Sequence, residues 1–181
     1  VTDLNEAPII TSNGGGATAN VNAAENQTAV TTVTYTDQDI LAADTILYTL
    51  SGADSLLFSI SAGGVLTFNS APNFEVPTDS NLDGIYEVTV TVNDQNGGSD
   101  VQAISVTVGD LNEVPVAVDD AFSVDEDNIL IIGPAQSVLN NDSDEDGDIL
   151  TVNVNPVSGP GNGSIALNPD GTFTYTPNAN F

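Results

Sequence analysis

Tyr86-Glu87-Val88-Thr89-Val90-Thr91-Val92 alternates strictly between apolar and polar side chains. Successive side chains on a strand point to opposite faces, so the pattern reads as a half-buried strand. Tyr86, Val88, Val90 and Val92 face inward; Glu87, Thr89 and Thr91 face out. Downstream, Asp94 to Gly98 has turn composition, and Val101 to Val108 places Ile104, Val106 and Val108 inward. Upstream, Leu56 to Ile60 and Val65 to Phe68 are separated by Ala62-Gly63-Gly64, a hairpin-like turn. Thr45 to Leu50 puts Ile46, Tyr48 and Leu50 on one face, and Ala29 to Thr36 does the same with Val33 and Tyr35. Ser12 to Gly16 reads as a flexible loop. Helical periodicity is missing throughout. About seven short strands in roughly 100 residues predict an antiparallel β-sandwich.

A second set of strand candidates follows: Val116 to Val124, Ile129 to Ile132, Ile149 to Val154, Ser164 to Leu167 and Thr172 to Thr176. Pro169-Asp170-Gly171 is a turn signal between the last two. This set is one hairpin short of a sandwich, so the second domain is expected to be truncated at Phe181. Strand donation by another chain is the other way to complete it.

The two sets are joined by Asp110-Leu111-Asn112-Glu113-Val114-Pro115, which repeats Asp3-Leu4-Asn5-Glu6-Ala7-Pro8. Each copy ends in a proline that cannot donate a ladder hydrogen bond and biases the residue before it toward extended backbone. Each also packs two acids and an Asn into four positions. A stiff, oxygen-rich hinge recurring at domain spacing marks a tandem array. The expected layout is a linker at 1–8, a domain at 9–109, a linker at 110–115 and an incomplete domain at 116–181. Val1-Thr2-Asp3 is not a signal peptide and reads as the end of a preceding domain.

The 181 residues include 26 Asp and Glu and no Lys, Arg, His or Cys, for a formal charge of -26. No side-chain salt bridge can form, and a compact state repels itself. These absences exclude a Ser-His-Asp triad, a thiolate nucleophile and a zinc site with nitrogen or sulfur ligands. They also exclude a basic footprint for nucleic acid. Carboxylate chemistry of the glycosidase kind remains formally open through Glu25 and Glu75. With no Trp and no converging aromatics, that pair reads instead as ligands, and the protein as no enzyme. No apolar run is long enough to span a membrane. Without disulfides, an extracellular chain of this kind would be stapled by metal.

The acids gather at strand ends: Glu25, Asp37-Gln38-Asp39, Asn73-Phe74-Glu75, Asp94 and the run Asp142-Ser143-Asp144-Glu145-Asp146-Gly147-Asp148. Carboxylates at i, i+2 and i+4 make physical sense around a hard cation that takes about 6 to 8 oxygen ligands, as Ca2+ does. Asp142, Asp144 and Asp146 match the first half of an EF-hand loop, but position twelve is Asn153 and strands are expected on both sides. Asp79, Asn81 and Asp83 read either as a metal loop or as a solvated turn. The triplets beginning at Asn26, Asn141 and Asn162 fit glycosylation acceptors, a pattern that arises by chance in an Asn- and Thr-rich chain.

Together these motifs resemble the cadherin repeat in its bacterial form. The hinge resembles the inter-domain linker, Ala24-Glu25-Asn26 the early Glu motif and Asp37-Gln38-Asp39 the Asp-x-Asp motif. Asn73-Phe74-Glu75 resembles Asp-Arg-Glu with two replacements, and Val92-Asn93-Asp94 the late Asp motif. The resemblance implies calcium at the joints. Asp37, Asp39 and Asp94 would face Asp3 and Asn5 at one pole; Glu25, Glu75, Asp110, Asn112 and Glu113 would gather at the other. The second set is similar to a cadherin-like immunoglobulin-type repeat of large bacterial adhesins, through Ala117-Val118-Asp119-Asp120, Leu139 to Asp144 and Gly171 to Pro177. Asp142, Asp144, Asp146 and Asp148 are its candidate ligands.

The expected protein is therefore all-β, with tandem antiparallel β-sandwich domains of cadherin-like or immunoglobulin-like type. Its expected role is a calcium-stiffened extender of a secreted or surface-anchored bacterial adhesin, partnered by neighbouring repeats. The alternative is a binding module for carbohydrate or for identical repeats on another cell.

Overall fold

The computed structural model describes residues 4–38, 45–156 and 158–181. Of the expected metal ligands, Asp3 and Asp39 lie outside these residues. The chain divides into two compact units, one running to Leu111 and one from Asn112.

The first unit holds β1 (Ile9–Ile10), β2 (Thr18–Ala24), β3 (Ala29–Thr32), β4 (Tyr35–Thr36), β5 (Leu47–Ser51), β6 (Phe58–Ile60), β7 (Val65–Phe68), β8 (Ile85–Asn93) and β9 (Ser99–Gly109). A four-stranded sheet, β2-β9-β8-β5, faces a three-stranded sheet, β3-β7-β6; β1 and β4 pair beside them. The alternating stretch around Val90 is the centre of the unit. Tyr86, Val88, Val90 and Val92 of β8 and Ile104, Val106 and Val108 of β9 are buried against Phe58, Leu66 and Phe68 of the opposite sheet. The Tyr86 ring meets Phe68 edge-on, with centroids 5.1 Å apart. Each such side chain stabilises the fold by about 1.5 to 3 kcal/mol through burial.

Three details differ from the sequence reading. The stretch Ala29 to Thr36 is not one strand: β3 pairs with β7 and β4 with β1. The chain changes sheets at buried Val33, whose N–H donates to the Gly64 carbonyl (2.8 Å). Gly64 is required there, because it has φ +78° and a Cβ would lie 2.2 Å from the Val33 carbonyl oxygen. Leu56 to Ile60 opens with a 3-10 turn, Ser55–Leu57, before β6. Finally, the sheets are not wholly antiparallel. β2, which the alternation had not revealed, runs parallel to β9 in unbroken register from Thr18 opposite Ala103 to Ala24 opposite Gly109.

The second unit holds β10 (Leu130–Ile132), β11 (Gly163–Leu167) and β12 (Phe173–Pro177), paired antiparallel in the order β10-β12-β11. Among its described residues Ile132 and Phe173 are the buried apolar ones, and Phe122 stands edge-on to Phe173 with centroids 5.1 Å apart. The strands expected at Val116 to Val124 and Ile149 to Val154 do not form. Val116 makes only an isolated bridge to Ser143. The Val118 N–H turns to the Asp142 carboxylate (2.8 Å) instead of a ladder partner, and Val152 N–H reaches the Pro169 carbonyl (2.9 Å). Contrary to expectation, then, the acidic run at 142–148 is not flanked by regular strands.

Candidate metal centre

β9 connects two acidic poles of the first unit. It has 11 residues, which at ~3.4 Å per residue separates its ends by about 35 Å. β2 ends beside the C-terminal end of β9, so the residue after it, Glu25, lands next to the segment that leaves the domain. The Glu25 N–H donates to the Gly109 carbonyl (3.3 Å). Its carboxylate is fully buried. One oxygen, Oε2, accepts the Phe74 N–H (2.9 Å), and the other, Oε1, accepts the Leu111 N–H (2.7 Å). A single side chain thus ties the Asn73–Glu75 loop and the outgoing segment to the end of β2. Asn73, which stands where the resembled motif has Asp, folds its Oδ1 back to accept the Val76 N–H (2.5 Å).

This loop brings in Glu75, and the outgoing segment brings in Asp110. Glu25, Glu75 and Asp110 each place a carboxylate oxygen within 4.8 Å of those of the other two. At that separation two unit charges repel by about 3 kcal/mol at an effective dielectric of ~20. The chain contains no cationic side chain to offset this. The donor set is entirely hard oxygen, part buried and part open to water, and it fits an oxygen-seeking divalent cation such as Ca2+. Such an ion would draw on Glu25, Glu75 and Asp110.

The other pole is built on Asp94, the residue after β8. Its buried carboxylate is gripped by backbone. Oδ1 accepts the N–H groups of Asn96 (2.7 Å) and Gly98 (2.9 Å), and Oδ2 accepts the Asn5 side-chain amide (2.9 Å). The Asn5 amide, with the backbone N–H groups of Asn96, Gly98 and Gly97, holds the Asp94 pKa below the ordinary carboxylate value against the opposing effect of burial. Gly98 is held to glycine by close approach: a Cβ would lie 2.3 Å from Asp94 Oδ2 and 2.7 Å from the Ala7 Cα. Asp37 sits half-buried just after β4.

In the second unit the acidic run clasps the segment that enters it. Asp146 Oδ2 accepts the Glu113 N–H (2.7 Å), Asp142 Oδ1 accepts the Val118 N–H, and Val116 and Ser143 exchange backbone hydrogen bonds between them. Asp144 Oδ1 accepts the Asp148 N–H (3.1 Å), leaving the Asp148 side chain exposed. Asn112 donates its side-chain amide to the Glu113 carbonyl (2.8 Å).

Asp79, Asn81 and Asp83 form a self-contained turn. Asp79 is buried and accepts the N–H groups of Asp83 (3.0 Å) and Gly84 (3.1 Å). Burial pushes its pKa up, but these backbone donors outweigh that and leave it lowered. Asn81 and Ile85 donate to the two oxygens of Asp83.

Two acids escaped the sequence reading. Buried Asp54 accepts the N–H groups of Ser80 and Glu87, both at 2.7 Å. Asp100 accepts the Ile10 N–H at 2.7 Å. Both fasten loops or strands by backbone donors. The one signal for Asp54 was its place in the turn-forming run Gly52-Ala53-Asp54-Ser55.

The two facing sheets of the first unit, with acids collected at both ends, define an all-β sandwich module. The sequence model of the bacterial Ig domain matches residues 5–107, and that of the bacterial cadherin-like domain matches residues 112–181. The chain belongs to the bacterial Ig domain family, and its second unit is of cadherin-like type. Both are families of non-enzymatic adhesion modules. The two names fall in the opposite order to the motifs: the first unit carries the cadherin-like signature yet matches the Ig-domain model. None of the curated proteins matches the chain.

Among solved structures, domains EC1-2 of human protocadherin-24 are 18% identical with a TM-score of 0.58, covering 98% of this chain and 80% of that one. Domains EC1-4 of Drosophila N-cadherin are 20% identical with a TM-score of 0.51, covering 95% and 41%. Cadherin domains 3-6 of protocadherin gamma B2 are 21% identical with a TM-score of 0.52, covering 99% and 45%. At these identities the likeness is one of fold. The chain spans less than half the length of the latter two structures. Among the described residues no helix is long and apolar enough to cross a membrane.

Proposed function

We propose that this chain is a calcium-rigidified extender from a secreted or surface-anchored bacterial adhesin, its joints filled by Ca2+ from the extracellular medium. The observation that carries the reading is the meeting of Glu25, Glu75 and Asp110, with oxygens within 4.8 Å of one another in a chain without a single cationic side chain. Cadherin-like domains typically bind calcium, which agrees with this donor set. The ion neutralises the three carboxylates, and Asp110 belongs to the segment leading out of the first unit. Neutralisation therefore stiffens that segment, and removal of the ion lets the acids part. Asn5 and Asp94 at the opposite pole, with Asp37 and Asp39, are proposed to meet the preceding repeat in the same way; Asp142, Asp144, Asp146 and Asp148 are the proposed ligands of the second unit. Neighbouring repeats are then the first partners of each module. Extracellular calcium modules bind at about 10⁻⁴ to 10⁻³ M, so the ion would be held outside a cell and lost inside it.

The test is small-angle X-ray scattering of the 181-residue chain in millimolar Ca2+ and in chelator, alongside calcium titration by calorimetry. The expected result is heat of binding in that range and a smaller spread of end-to-end distances with the ion. An identical scattering profile in both buffers would refute the stiffening, and absence of binding heat would refute the metal.

A further inference from the structure

Asn-Gly occurs three times in the chain, at Asn13-Gly14, Asn96-Gly97 and Asn162-Gly163. The absence of a side chain on the second residue lets its backbone nitrogen approach the preceding carboxamide unhindered. The fold treats the three differently. Asn13 is half-buried, its amide donating to Gln102 Oε1 (3.2 Å) and its Oδ1 accepting the Thr31 hydroxyl (2.9 Å). The Asn162 carbonyl accepts both the Asn178 N–H (2.9 Å) and the Tyr175 hydroxyl (3.0 Å). Gly163 lies in β11, where a Cβ would stand 2.5 Å from the Tyr175 ring. Asn96 is exposed in the turn between β8 and β9, and among the described residues its carboxamide has no hydrogen-bond partner. Gly97 has φ +114° with open space where a Cβ would stand, and its N–H turns toward the Asp94 carboxylate.

We propose that Asn96 is a site of spontaneous deamidation and isoaspartate formation, and the place where this module ages first. The Gly97 nitrogen, giving its proton to water or hydroxide, bonds to Asn96 Cγ; the Cγ–nitrogen bond of the carboxamide breaks and ammonia leaves. Water then opens the resulting succinimide at either carbonyl, giving aspartate or isoaspartate. No redox partner is needed. The isoaspartyl product inserts an extra methylene into the main chain between the Asn96 and Gly98 N–H groups. Those are the two donors that grip Asp94 Oδ1. The product also adds a carboxylate beside Asp94, so the pole loses its fit and gains repulsion together.

The experiment incubates the intact chain at mildly alkaline pH, native and in urea, and follows each Asn by peptide mass spectrometry after cleavage with a glutamyl endopeptidase, since trypsin has nothing to cut. Fresh and aged fractions, separated by anion exchange, are then melted. Expected are severalfold faster conversion of Asn96 than of Asn13 or Asn162 in the native chain, a gap that closes in urea, and a lower melting temperature for the aged fraction. An Asn96→Gln variant should melt like the parent and show no charge change over the same time. Equal native rates at the three positions, or faster loss at Asn13 or Asn162, would overturn the assignment; an aged fraction melting like the fresh one would overturn its consequence for Asp94.

Discussion

Replacing Glu25 separates its two roles, as a latch between backbone segments and as one wall of a metal site. Its carboxylate accepts two backbone N–H groups at 2.9 and 2.7 Å with no exposure to solvent. Charge-assisted hydrogen bonds of this kind contribute about 1.5 to 3 kcal/mol each, and a buried donor stripped of its partner costs about 1 to 3 kcal/mol. Glu25→Ala and Glu25→Gln both remove the charge, so Glu25→Ala, which strips both buried donors, should be less stable than Glu25→Gln by about 1 to 3 kcal/mol with or without calcium. Glu25→Gln keeps one acceptor and loses about 2 kcal/mol of hydrogen bonding. It also removes one charge from the three-acid cluster, which relieves repulsion of about 3 kcal/mol per pair, less where exposed Asp110 is screened. In chelator the relief of two pairs outweighs the lost hydrogen bond, and the variant should be at least as stable as the parent. In millimolar Ca2+ the parent gains binding energy that the variant lacks, and the two should separate. The assay is urea unfolding in each buffer, followed by near-UV circular dichroism. Three of the four tyrosines, Tyr35, Tyr48 and Tyr86, lie in the first unit. A Glu25→Ala protein as stable as Glu25→Gln in chelator would refute the latch. An equal loss for Glu25→Gln in both buffers would refute metal sharing.

Three further outcomes follow from single side chains. Gly98→Ala drives a Cβ into Asp94 Oδ2 and the Ala7 backbone and should cost about 1 to 3 kcal/mol, read as a lower melting temperature. The Asn5 amide and backbone donors lower the Asp94 pKa from 3.8. Its contribution is therefore complete above the ordinary carboxylate value and is lost as pH falls through the depressed one; urea midpoints measured on descending from about pH 5 should drop in the parent and drop less in Asp94→Asn. Gln102, fully buried, donates to the carbonyls of Ser12 (3.3 Å) and Gly16 (2.9 Å) and accepts from Asn13. Gln102→Leu should cost about 2 to 4 kcal/mol and speed proteolysis within Ser12 to Gly16.

The strands that the sequence showed are those whose apolar residues are large and strictly alternating. Tyr86 to Val92 and Ile104 to Val108 were legible because each inward residue buries enough surface to set its own register. β2 was not, since Ala19, Val21 and Ala23 alternate with Asn20 and Asn22, and Ala and Asn are weak strand formers. What holds β2 is β9, far along the chain, and no local pattern reports that. In the second unit Val116 to Val124 carries strand-like composition, but Asp142 takes the Val118 N–H, and a carboxylate is a stronger acceptor than a ladder carbonyl. The acids at Glu25, Glu75 and Asp110 were readable from their motifs. The role of Glu25 as a backbone latch was not, because hydrogen-bond partners such as Phe74 and Leu111 are supplied by the fold.

The direction of β2 bears on how the first unit carries tension. Its entering segment is held at the Asp94 end of β9 through Asn5, and its exit at the Glu25 end through Leu111. A pull on the two therefore slides β2 and β9 lengthwise in opposite senses. Every rung from Thr18–Ala103 to Ala24–Gly109 is sheared at once instead of being unzipped one by one, so the pair resists stretching as a clamp.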